Sequence, residues 1–73
     1  MPPTKKGETV ANRLRQQRKK GGFTQEDLGK AANLTRQSII AIEKGRFIPS
    51  VQTALLLARA LGSSVDELFW LAD

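Results

Sequence analysis

Apolar residues along this chain recur at helical spacing, and no run alternates at period two for long enough to mark a strand. Five helices follow from that pattern. The first is predicted over residues 8 to 20, with Val10 and Leu14 on one face and Gly21 and Gly22 ending it. The second covers residues 25 to 32, and the third residues 36 to 44. Leu28, Ala32, Leu34, Ile39 and Ile42 can share one interior if residues 33 to 35 form a turn. The fourth helix spans residues 51 to 61, with Val51, Ala54, Leu55, Ala58 and Leu61 inward, Leu57 at the edge and Leu56 pointing away. The fifth spans residues 65 to 72, with Val65, Leu68, Phe69 and Ala72 inward.

The punctuation between these segments is chemical. Thr24, Thr35, Ser50 and Ser64 each precede a helix, where a hydroxyl accepts an orphan backbone N–H. Asp27 and Glu67 stand three residues after Thr24 and Ser64, the spacing of a capping box, and Phe23 with Leu28 is spaced as a hydrophobic staple. Asn33 tolerates the left-handed conformation that ends a helix. Gly29, inside the second helix, costs about 1 kcal/mol relative to Ala, so a close approach of another segment is expected there. Gly45 and Gly62 end the third and fourth helices. Phe47 and Ile48 are expected to cover the core, and Pro49 to stop any extension.

The stretch QEDLGKAANLTRQSIIAIEK therefore reads as two short helices joined by a tight turn. Together with LRQQRKKGGFTQEDL, TRQSIIAIEKGRFIPS and ALGSSVDELF, in that order and spacing, it resembles the helix-turn-helix of the phage-repressor and Cro-like, or Xre-type, family. The resemblance covers about residues 9 to 71. It implies an all-α, five-helix lambda-repressor-like domain over residues 8 to 73, following a flexible arm at residues 1 to 7. It also implies that Arg18 pairs with Glu43 and that Gln25 clamps a DNA phosphate. Ile40 and Ala41 stand where many relatives carry polar residues.

The residues of the third helix point to the same chemistry. On a helical wheel Ile39, Ile42 and Glu43 face inward, whereas Gln37, Ala41 and Lys44 face outward with Ile40 at the edge. A recognition helix reads bases mainly from its N-terminal residues. Arg36 can pair with guanine O6/N7 and Gln37 with adenine N6/N7, while Ile40 and Ala41 offer only apolar contact, for instance to thymine methyl groups. Gln25, at the positive end of the second helix, suits a phosphate. So do Lys44, Arg46 beside free loop N–H groups, and Arg13 and Lys20 on the first helix. Lys5 and Lys6 in the arm are further candidates.

Charge sharpens the picture. Of a net charge of +5, residues 1 to 50 carry +7 and residues 51 to 73 carry −2. A basic part suits a polyanion, and a neutral-to-acidic part suits another task. That second part holds Leu56, Trp70 and Leu71, whose apolar surface has no partner in the helical pattern and is assigned to a homodimer contact. Two further arguments favour a dimer. Seventy-three residues make a small core, and helix-turn-helix dimers read half-sites about 34–36 Å apart.

With no Cys and no His, these residues offer no disulfide, thiol or imidazole chemistry and no Cys/His metal site. Asp66 and Glu67 are adjacent on a helix and diverge, so they form no paired-carboxylate site. No cofactor or small-molecule ligand is expected. No apolar run approaches a membrane span, and MPPTKKGET lacks a signal-peptide core, so a cytoplasmic, nucleoid-associated protein is expected. The reading is a sequence-specific DNA-binding regulator, a homodimeric repressor on a (pseudo)palindromic operator. The alternative is an antitoxin or restriction-modification controller that acts with a protein partner.

Overall fold

Two short strands bracket five helices in the computed structural model, which describes residues 9 to 72. In chain order they are β1 (Thr9–Asn12), α1 (Leu14–Lys20), α2 (Gln25–Ala31), α3 (Arg36–Glu43), α4 (Val51–Leu61), α5 (Val65–Leu68) and β2 (Phe69–Ala72). The arm at residues 1 to 7, with Lys5 and Lys6, and the expected helix start at Glu8 lie outside the described residues.

The helix-turn-helix is built from local chemistry. Thr24 accepts the N–H of Asp27, and the Asp27 carboxylate accepts the N–H of Thr24, a complete capping box. Thr35, Ser50 and Ser64 cap α3, α4 and α5 through the N–H three residues on. At α5 the box is only half formed, because the Glu67 carboxylate accepts from the Ser63 hydroxyl instead. In the turn, Asn33 adopts φ 58°, and Leu34 N–H donates to the Gly29 carbonyl at 2.7 Å. A Cβ on Gly29 would lie 2.6 Å from the Leu34 carbonyl oxygen. The close approach at Gly29 is therefore made by the turn itself.

The core lies among α1, α2, α3, α4 and α5. Leu14, Leu28, Ile39, Ile42, Leu57 and Leu68 are its fully buried large side chains. Phe23 and Leu34 pack against it from the loops.

Three expectations change. Residues 9 to 12 are a strand rather than the first turns of a helix, and residues 69 to 72 are a strand rather than the end of one. They pair antiparallel, Thr9 with Ala72 through Asn12 with Phe69. Local chemistry forces the change at one end: the Asn12 side-chain oxygen accepts the Leu14 N–H at 3.1 Å, a turn that competes with helix. Neither strand is long enough to show a period of two, and each is ordered by the other.

Second, the buried arc of α4 is centred on Leu57. Ala54, Leu57 and Ala58 are buried, Leu56 and Leu61 pack partly against the core, and Val51 and Leu55 face out. The helix is thus rotated by about one residue, roughly 100°, from the expected stripe. A segment as apolar as VQTALLLARAL does not fix its own phase, and here α2 and α5 both pack on it.

Third, Phe47 and Ile48 are 46% and 64% exposed rather than covering the core. The N–H groups of Arg46 and Phe47 are not free either. Both donate to the Ala41 carbonyl, at 2.9 and 3.3 Å, as the chain leaves α3 through Gly45 at φ +74°.

The α4 phase is open to test by thermal or urea unfolding. Leu57→Ala should cost about 2–5 kcal/mol, whereas Leu55→Ala should stay within about 0.5 kcal/mol. Gly29→Ala should cost about 1–3 kcal/mol through overpacking against Leu34.

Candidate nucleic-acid interface

The organising contact of the site is an ion pair beneath it. Arg18 Nε donates to Glu43 Oε2 at 2.6 Å, and Arg18 Nη1 donates to the Phe23 carbonyl at 2.9 Å. The two side chains are only 10% and 5% exposed. Arg18 comes from the last turn of α1 and Glu43 from the end of α3, so the pair locks α3 against α1. Gln25 joins it: its amide Nε2 donates to Glu43 Oε1 at 3.2 Å. The first residue of α2 is thereby held at the same carboxylate.

Beside this network opens a cleft of about 670 Å³. Arg15 and Gln25 wall it from α1 and α2, and Arg36, Ile40 and Lys44 wall it from α3 and its C-cap. Of its cationic residues, Arg18 is committed to Glu43, and Arg15, Arg36 and Lys44 are exposed. On the outer side of α3, Gln37 is exposed and Ala41 half-buried; Ile40 is half-buried as well. A rigid helix with Arg36 and Gln37 at its leading end, backed by a basic cleft, has the form of a surface that meets a polyanion and reads its edges.

Other residues fall elsewhere. Lys20 lines a separate hollow with Gly62 and Glu67, away from the α3 cleft. The Arg13 guanidinium lies 4.7 Å from the Trp70 ring centroid. Arg46 is exposed just beyond α3, with its backbone N–H taken by Ala41. Leu56, Trp70 and Leu71 cannot form one surface. Leu56 packs toward the core, and Trp70 and Leu71, consecutive on β2, point to opposite faces of the ribbon.

Two contributors went unassigned in the sequence. Arg15 stands three residues before Arg18, so the two share one flank of α1; that spacing was the available signal. Asn12 donates its side-chain amide to the Ile42 carbonyl at 2.9 Å, tying β1 to the last turn of α3. A capping Asn ahead of Leu14 could be suspected from the sequence, but its partner on α3 could not.

The fold and this surface together define a helix-turn-helix DNA-binding transcriptional regulator. The chain belongs to the Xre-like helix-turn-helix family, whose model, described as "Helix-turn-helix", matches residues 14–68. It is 37% identical over 64 residues to an uncharacterized HTH-type transcriptional regulator, YgzD, of Bacillus subtilis (strain 168), across 88% of this chain and 97% of that one. It is 48% identical over 61 residues to an uncharacterized HTH-type transcriptional regulator of Methanothermobacter thermautotrophicus, across 82% of this chain and 88% of that one. Among solved structures, the restriction-modification controller protein C.AhdI from Aeromonas hydrophila superimposes with a TM-score of 0.71 at 33% identity, covering 74% of this chain and 82% of that one. The five-helix lambda-repressor-like fold is shared with such regulators. Among the described residues no helix is long and apolar enough to cross a membrane.

The ion pair generates a stability prediction. Removing one partner strands a buried charge, so Arg18→Ala or Glu43→Ala should each cost about 3–5 kcal/mol. In a double-mutant cycle followed by urea unfolding, the double variant should lose less than the sum of the two. Strict additivity would mean that the pair is not coupled in solution.

Proposed function

We propose that the protein is a homodimeric, sequence-specific repressor. Residues 8 to 73 act as one DNA-binding domain, and residues 1 to 7 as its arm. The observation that carries the reading is the leading end of α3, where Arg36 and Gln37 are exposed beside the basic cleft. Arg36 and Gln37 read base edges, with Ile40 and Ala41 supplying apolar contact. Gln25, Lys44 and Arg46 hold backbone phosphates, joined by Arg15. Lys20 is left out of this set because its hollow lies apart from the cleft.

The dimer contact shifts from the expected trio to a neighbouring patch. Ile48, Val51, Leu55 and Leu71 are 64%, 77%, 56% and 66% exposed. Ile48 and Val51 rim an apolar hollow of about 180 Å³ whose lining includes Val10, Ala54 and Phe69. That much apolar side-chain surface on so small a domain calls for a cover. A second copy suits it, because the patch carries no charge and two copies of the basic face would repel. Similarity to a restriction-modification controller favours a controller role as the second reading.

Selection of bound sequences from a random duplex library would yield the operator. On that operator Gln37→Ala should weaken binding by about 1–3 kcal/mol while sparing random DNA. Arg46→Ala should weaken both alike and flatten the salt slope. Equal losses on both DNAs for Gln37→Ala would sink the base-reading role. Leu55→Glu should raise the dimer dissociation constant by about tenfold or more and leave the helical signal intact. A parent protein that sediments as a monomer at high concentration, free and with palindromic DNA, would rule the dimer out.

A further inference from the structure

Asn12 uses both halves of its side-chain amide. Its Oδ1 accepts the Leu14 N–H at 3.1 Å, and its Nδ2 donates to the Ile42 carbonyl at 2.9 Å, 30 residues along the chain. A donor on one side and an acceptor on the other fix which way the amide lies. The Asn12 backbone is held as well. It stands opposite Phe69 in the ribbon, and the next N–H, that of Arg13, donates to the Leu68 carbonyl at 3.0 Å.

The Ile42 carbonyl does not need the Asn12 bond to be satisfied, because it already accepts the Gly45 N–H at 3.0 Å. The carbonyls of Ile40 and Ala41 likewise accept from Lys44 and from Arg46 and Phe47. The end of α3 therefore has local partners, and what Asn12 adds is a connection. It complements the Glu43 network: α1 and α2 hold residue 43 through its side chain, and β1 holds residue 42 through its backbone. The apolar contacts of Ile39 and Ile42 are non-directional and let a helix roll slightly. One polar tether leaves roll about itself, and a second from another element removes it. With side chains reaching about 5–6 Å from the axis, a roll of about 10° moves a tip by roughly 1 Å. A binding constellation needs to be held within about 0.5 Å.

We infer that Asn12 is a positioning residue for base reading. It acts through α3 and not by touching DNA. Its tether to Ile42 fixes the roll of α3, and with it the direction in which Arg36 and Gln37 present their side chains, about 8–9 Å away along the helix. Phosphate contacts from Lys44 and Arg46 absorb a small roll, because charge attraction varies slowly with distance. A bidentate pair with a base edge does not absorb it. Loss of the tether therefore lowers discrimination between sequences and spares the general attraction to DNA. This role rests on the DNA-binding reading.

The test measures affinity for the selected operator and for a random duplex, at a temperature where circular dichroism shows every variant folded. Asn12→Ser keeps an oxygen for the Leu14 N–H and loses the reach to Ile42. It should weaken operator binding about three- to tenfold, the scale of one net hydrogen bond. Binding to the random duplex and the salt slope should stay at the parent's values. Asn12→Ala should lose at least as much discrimination. Leu61→Ala thins the core from the end of α4 without touching the tether, and it should leave the operator-to-random ratio unchanged. In the Gln37→Ala background there is less base reading to misalign, so Asn12→Ser should then cost less than about twofold on the operator. An equal cost in both backgrounds would overturn the proposal and point to the ribbon or the dimer. Equal weakening on both duplexes would overturn it too, as would a loss of discrimination in Asn12→Ala that Asn12→Ser does not share, which would assign the effect to the turn at Leu14. A parent protein that does not discriminate between the two duplexes would sink the sequence-specific reading along with this one. A discriminating parent matched by Asn12→Ser would sink this one alone.

Discussion

Everything the site does depends on a carboxylate that has been taken out of water. Glu43 is nearly buried at the end of α3, and its charge is met by Arg18 from α1 and by the Gln25 amide from α2. Burying such a pair costs several kcal/mol of desolvation per ion, so its net stabilising value is small beside that of the Leu and Ile core. Its value is geometric. A short charge-assisted bond tolerates little displacement, and this one involves three helices at once. With Arg18 also bonded to the Phe23 carbonyl, the α1–α2 loop is fixed by the same guanidinium. The arrangement sets the pose of α3 relative to α2 at one end, while the Gly29–Leu34 contact sets it at the other.

Between those two fixed points the protein divides its surface by helix phase. The inner side of α3 gives Ile39 and Ile42 to the core, and its outer side is left for Arg36, Gln37 and Lys44. On α4, centring on Leu57 sends Ala54 and Ala58 inward and leaves Val51 and Leu55 outside. One helix thus turns polar and basic residues outward and the other apolar ones, with the charge balance following suit: +7 in residues 1 to 50 and −2 after them.

The parts legible in the sequence are those whose cause is local. The hydroxyl caps, the left-handed Asn33 and the small residue at Gly29 each follow from chemistry within a few residues, and the helix-turn-helix follows from them. The parts that were not legible depend on distant neighbours. The phase of α4 is decided by which helices pack on it, since its own sequence is apolar on most sides. The strands exist only because each finds the other. Placing Trp70 with Leu71 and Leu56 followed from extending α5 too far: on a strand, adjacent residues part company, and Arg13 takes the ring. Lys20 and Arg15 differ only in which side of α1 they occupy, a distinction that the i, i+3 relation to Arg18 carries and that charge counting does not.

The ribbon of β1 and β2 also divides the molecule by how its parts come together. The helical segments close over short loops, whereas pairing Thr9 with Ala72 joins opposite ends of the described chain and carries the largest loop-closure entropy in the molecule. Four pairs cannot offset that entropy by themselves, so the ribbon assembles on a helical bundle that already holds its ends near one another, and it is the first part to open. The chain's only indole resides in that ribbon. Its emission therefore follows the opening of the last-formed substructure, while circular dichroism follows the bundle. The two signals separate wherever the ribbon frays before the core melts, and a single unfolding midpoint read from the tryptophan then describes only the smaller event.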